Sequence, residues 1–194
     1  TNNEFFIYMD THSKLTLEGV GMKVPEKHQS AIGMSASELT IRNSTIFSKI
    51  DLSEGSKLAL ENVHIEIFGN NTIHAKDSEV IAKNSTITGG DLEKDFPPVW
   101  LRNVIWESEN CKIELPTGTG VCLDNNVQFN SDSDRMTSIN SFNSMIRAHQ
   151  ATFTEFLCVY EESFASLTGE TTFLNENAQT ISFGVFDDGV LMAE

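Results

Sequence analysis

The chain has 194 residues, 39% of them hydrophobic, which is enough for one sizeable core, and no Pro- or Gly-rich stretch marks a boundary between two domains. Thirteen Lys and Arg stand against 28 Asp and Glu; the net charge of −15 repels nucleic acid and anionic lipid headgroups and leaves neutral, cationic or metal-bridged partners. No apolar run approaches the roughly 18 residues that cross a bilayer, and Thr1-Asn2-Asn3-Glu4 has neither the basic nor the apolar segment of a signal peptide, so no membrane insertion is expected.

Residues 1–12 hold a short aromatic run around Phe5, Phe6 and Tyr8 that predicts an opening strand or an N-terminal cap. Ser13-Lys-Leu-Thr-Leu-Glu-Gly19 then begins a phrase that returns, after a turn-rich loop at 23–29, as Ser37-Glu-Leu-Thr-Ile-Arg-Asn43-Ser-Thr-Ile46 and as Ser56-Lys-Leu-Ala-Leu-Glu-Asn62-Val-His-Ile65. Apolar residues stand four and two positions before the Asn and again three after it. Such alternation reads as strand, corner, strand. Ser78 to Ile87 repeats the phrase around Asn84, and Val99 to Trp106 keeps its apolar spacing around Asn103. In the more divergent half, Val121 and Leu123 precede Asn125, Ile146 and Ala148 precede Gln150, and Ala165 and Leu167 precede Gly169. The predicted corners are therefore 19, 43, 62, 84, 103, 125, 150 and 169, about 21 residues apart on average. A helical repeat would show 3.6-residue apolar spacing, and a leucine-rich repeat would hold its period and place more Leu. A fixed strand phrase in coils of variable length predicts an all-β fold: one parallel β-solenoid domain of about eight coils over 13–173, with 174–194 as a last coil or C-terminal cap. At about 4.8 Å per rung the rod is on the order of 40 Å long, and its open strand edges call for capped ends or an assembly surface.

From Ser13 to Phe173 the chain resembles the right-handed parallel β-helix superfamily, the pectate-lyase-like solenoids that include phage tailspikes and surface adhesins. The resemblance implies three short strands per coil, an asparagine ladder at one equivalent corner (Asn43, Asn62, Asn84, Asn103 and Asn125), and a protein of the cell exterior, cell surface or virion. The ladder also has a reason of its own, because Asn tolerates a left-handed backbone and its amide can both donate and accept between coils. Gly19 and Gly169 suit the same corner, whereas Gln150 suits it least.

Residues that depart from the phrase are the candidates for chemistry. Asp187-Asp188 is an adjacent acidic pair of the kind used in glycoside hydrolysis. The Gly-His-Gly segment that accompanies such a pair in the related β-helix glycosidases is absent, and Asp188-Gly189 reads as a turn. Asn130-Ser-Asp132-Ser-Asp134-Arg135 offers alternating oxygens to a calcium ion but lacks the Gly and distal Glu of an EF-hand loop; the resemblance to polysaccharide lyases implies Arg135 or Arg147 as a base, although the fuller lyase motifs are absent. Trp100, an outward aromatic beside the Asp91–Asp95 insertion, marks the candidate glycan-binding flank, while Trp106 points inward. The histidines are scattered, Cys111, Cys122 and Cys158 predict reduced thiols with a Cys111–Cys122 bridge left open, and no nucleotide-binding loop occurs. The sequons at Asn43 and Asn84 fall on ladder corners and read as coincidental. The leading expectation is a non-enzymatic structural or adhesive module, possible binder of a glycan or protein and able to self-assemble through its ends. The alternative is a lyase or hydrolase acting on polysaccharide. An enzyme would show a groove with three or more acids and an Arg or Lys in reach of one another; a flat or apolar flank would exclude one.

Overall fold

The structure is a computed structural model that describes residues 7–23, 32–69, 73–92, 97–116, 119–174 and 183–194. Among these residues there are strands and turns and no helix, hence no helix long and apolar enough to cross a membrane. Every strand pairing is parallel, and the chain winds as a three-faced β-solenoid. On the first face, A, one inward position runs in register through Ile7, Ile32, Ile50, Ile73, Val99, Val121, Ile139, Leu157 and Phe183, which is eight coil-to-coil steps. Face B runs from Leu15 through Leu39, Leu58, Val80, Trp106, Phe129, Ile146 and Ala165 to Leu191. Face C runs from Met22 through Ile46, Ile65, Ile87, Ile113, Met136 and Phe153 to Phe173.

The alternation in the sequence produces this directly. Leu39, Ile41, Ile46 and Ile65 are at most 1% exposed, and each such aliphatic side chain contributes about 1.5–3 kcal/mol by leaving water. Toward the C-terminal half the filling becomes aromatic: Trp106 stacks on Phe129 at 5.7 Å and Phe153 on Phe173 at 5.1 Å.

The three corners differ in kind. From face B to face C the inward positions are seven residues apart in almost every coil, as from Leu39 to Ile46, and a single residue with positive φ makes the bend: Gly19, Asn43, Asn62, Asn84, Asn110, Ser133, Gln150 and Gly169. From face A to face B the step is seven residues where one residue has positive φ (Ala36, Asp77, Asn103, Asn143) and eight where two do (Thr11-His12, Glu54-Gly55, Asn125-Asn126, Glu161-Glu162, Asp187-Asp188). From face C to face A the step varies from three residues, Met136 to Ile139, to twelve, Ile87 to Val99.

This corrects the expectation of one asparagine ladder. Asn43, Asn62 and Asn84 bend the chain from face B to face C, whereas Asn103 and Asn125 bend it from A to B; in those two coils the B-to-C corners are Asn110 and Ser133. The corner amides are also exposed. Asn62 Nδ2 donates to Asn43 Oδ1 at 3.2 Å on one edge, and Asn126 Nδ2 to Asn103 Oδ1 at 2.6 Å on the other. The buried hydroxyls belong to the next residue, Ser44 and Ser85 on the B-to-C edge and Ser144 on the A-to-B edge. Ser44, Ser85 and Ser144 each donate to the carbonyl two residues back and accept the N–H of Val20, Val63 and Val127 from the coil before.

At the ends, Ile7–Met9 is the first rung of face A, and residues 1–6 lie outside the described residues. Phe183–Val185 and Val190–Ala193 are in-register rungs, and Phe183, in the inward row of face A, stays 54% exposed, so among the described residues nothing covers that end. All three cysteines are free thiols, and burial pushes Cys111 and Cys122 up to about 11.

Candidate functional site

A shallow groove of about 430 Å³ runs across face B over five coils. Two rows of outward side chains line it. One holds Glu107, Asn130, Arg147 and Ser166, and the other Lys83, Glu109, Asp132, His149 and Thr168, each row in register from coil to coil. Between the rows the inward positions are small, Ala82, Ser108, Ser131 and Ala148, where neighbouring coils carry Leu60 and Leu167. Alternation thus aims the polar residues outward while the short residues between them floor the groove.

The polar groups are partly spent on one another. Lys83 Nζ lies 3.0 Å from Glu109 Oε2, Arg147 Nη1 donates to Asn130 Oδ1 at 3.5 Å, and His149 Nδ1 is 2.9 Å from Thr168 Oγ1. Glu109 and Asp132 are exposed carboxylates on adjacent coils. With Glu107 they give three acids, of which Glu109 is the one in contact with Lys83.

Asp132 and Asp134, paired in the sequence as calcium ligands, fall on opposite sides of the chain. Asp132 faces the groove, whereas Asp134 is 1% exposed and occupies the place after the Ser133 corner that Ser44 and Ser85 hold elsewhere. Asp134 Oδ1 accepts the Cys111 N–H at 2.7 Å; Oδ2 accepts from Ser131 Oγ at 2.8 Å and from Ser108 Oγ, which in turn accepts the Trp106 indole N–H at 3.0 Å. Burial raises the Asp134 pKa against the pull of these donors. Among the described residues no three His, Cys, Asp or Glu side chains converge as a metal site.

Asp187 and Asp188 make the last A-to-B corner, both with positive φ, and stand in sequence where Glu161 and Glu162 stand one coil earlier. Trp100 is half-buried on face A and stacks on His74 at 4.4 Å, not beside the groove. Asp95 lies outside the described residues, as does the Asp91 side chain. Of the groove residues, Asn130 and Asp132 enter the sequence reading as calcium ligands and Arg147 as a base, while Glu107, Glu109 and Lys83 escape it. Their signal is positional, since each is an outward place of the B strand, and for Glu107 and Glu109 it emerges only when the corner is set at 110. Comparison with protein-family models, curated proteins and solved structures gives no match.

Proposed function

We propose that this chain is a non-enzymatic, adhesive β-solenoid module of the cell exterior or virion that binds an extended glycan along face B. The groove supports this reading: two rows of donors and acceptors recur at the coil spacing of about 4.8 Å, close to the length of one sugar residue in an extended chain. Its openness suits binding at many weak points, and exposed Glu107, Glu109 and Asp132 stay hydrated, whereas a catalytic acid is tuned by burial. The buried carboxyl, Asp134, points inward. Assembly through the half-exposed last rung accords with the same role. The second reading, hydrolase or lyase, is favoured by the adjacent Glu109 and Asp132 with Lys83 in contact.

A glycan array read together with a polysaccharide-degradation screen, each with and without calcium, tests both. Binding without product, weakened about tenfold or more by Arg147→Ala or Asp132→Ala, is the expected result. Release of product that Glu109→Gln or Asp132→Asn abolishes establishes the enzyme instead. No binding to any glycan defeats the proposal.

A further inference from the structure

Face A carries a second cluster, away from the groove. His74 and Trp100 are in-register neighbours whose rings stack at an interplanar angle of 25°. Two residues further along the same strands, Lys76 and Arg102 are also in-register neighbours, and both are exposed. Two adjacent coils therefore set an aromatic pair beside a cationic pair, about 7 Å apart along the strand.

The cationic pair departs from the pattern of the other faces. Lys14 faces Glu38, Arg42 faces Glu61, and Lys57 faces Glu79 on the adjoining coil, at 2.7–3.0 Å. Lys112 and Arg135 are also neighbours, but both contact Glu114. Among the described residues Lys76 reaches only Asp77, at 4.0 Å, and the other oxygen of Asp77 accepts from Asn103. Among the described residues no carboxylate lies within 4.0 Å of the Arg102 guanidinium. Like charges directly opposite each other destabilise a sheet, and a chain with 28 acids has no shortage of partners for them.

Among the described residues the same place is left to a ligand, and Asp124, one place past Leu123 on the next coil, accepts from Asn125 Nδ2. Asp51 is engaged on the far side, by Lys49 at 3.2 Å and His74 Nδ1 at 3.6 Å. His74 Nε2 is buried with no hydrogen-bond partner among the described residues. On the next coil only the smaller Cys122 stands against Trp100, so the aromatic stack ends at the indole.

We propose that Lys76, Arg102 and Trp100 form a binding site for a small ring compound bearing an oxyanion, carboxylate or phosphate. The Arg102 fork takes two oxygens, Lys76 adds a point charge, and the ring lies against the indole. This site does not depend on the glycan reading of face B.

The two tryptophan indole N–H signals in an NMR titration test it, because Trp106 is buried, bonded to Ser108, and serves as an internal reference. Glucuronate, a nucleoside monophosphate, inorganic phosphate and glucose are each added to about 10 mM, well above a Kd of about 1 mM. The Trp100 signal should move with glucuronate, the nucleotide or both while Trp106 stays fixed, and the compound that moves it identifies the source of the oxyanion. Lys76→Ala with Arg102→Ala should weaken binding at least tenfold, with an unmoved Trp106 signal showing that the fold is kept. The proposal fails if neither ring anion moves Trp100, if glucose or phosphate alone moves it as far, or if the double variant binds like the original chain.

Discussion

Asp134 shows how a residue that reads as a ligand becomes part of the frame. Its carboxylate takes the place of a corner serine and gathers three donors, so Asp134→Ala leaves the Cys111 N–H and two hydroxyls unpaired and should cost about 2–4 kcal/mol in denaturant unfolding. Its pH dependence has a definite sign. The folded pKa lies above the unfolded one, so the group contributes most below the usual Asp range, and that contribution is lost as pH rises through the raised folded value. Asp134→Asn should therefore remove a fall in stability with rising pH across the weakly acidic range, measured as denaturation midpoints; an unchanged slope would exclude this account. No sequence cue separates Asp134 from Asp132. Both are acids in a polar stretch, and the two-residue offset that sends one to the groove and the other to the interior is fixed only when Ser133 is known to be the corner.

Among the elements, the corners explain both what the sequence makes legible and where its phase slips. Val99 and Leu101 precede Asn103 just as Leu39 and Ile41 precede Asn43, because faces A and B share one alternation and both corners place the next inward residue three positions on. The phrase reports a corner without reporting which one. The step does: two positive-φ residues add one residue to the A-to-B passage, which is why Asp187-Asp188 is a turn. Since Asn is among the few side chains that tolerate this conformation, Asn62→Val should cost about 1–2 kcal/mol and Asn62→Gly well under 1, compared by urea midpoints. Equal losses would show that the left-handed backbone is not what selects the residue. The groove stays hidden for a related reason: outward positions obey no apolar rule, so their chemistry is readable only after the inward ones are assigned.

For the whole molecule, each coil touches mainly its neighbours, and length varies most in the passage from face C to face A, by up to nine residues against one at the other two corners. Loop closure costs only about 0.6 kcal/mol per doubling of length. Adding six Gly and Ser residues to the twelve-residue passage between Ile87 and Val99 should thus leave thermal unfolding nearly unchanged. The same insertion between Asn84 and Ser85 breaks the Asn84 N–H bond to Glu109 and both Ser85 bonds, and should lower the midpoint by several degrees or more.

That division of labour gives the rod a seam. Two edges hold the conformational grammar that every coil must obey, while the third can be rewritten, lengthened or exchanged with little effect on the register of its neighbours. New peptides could be displayed there, coil by coil, at a pitch set by the backbone itself, and the scaffold would count them out like teeth on a rack.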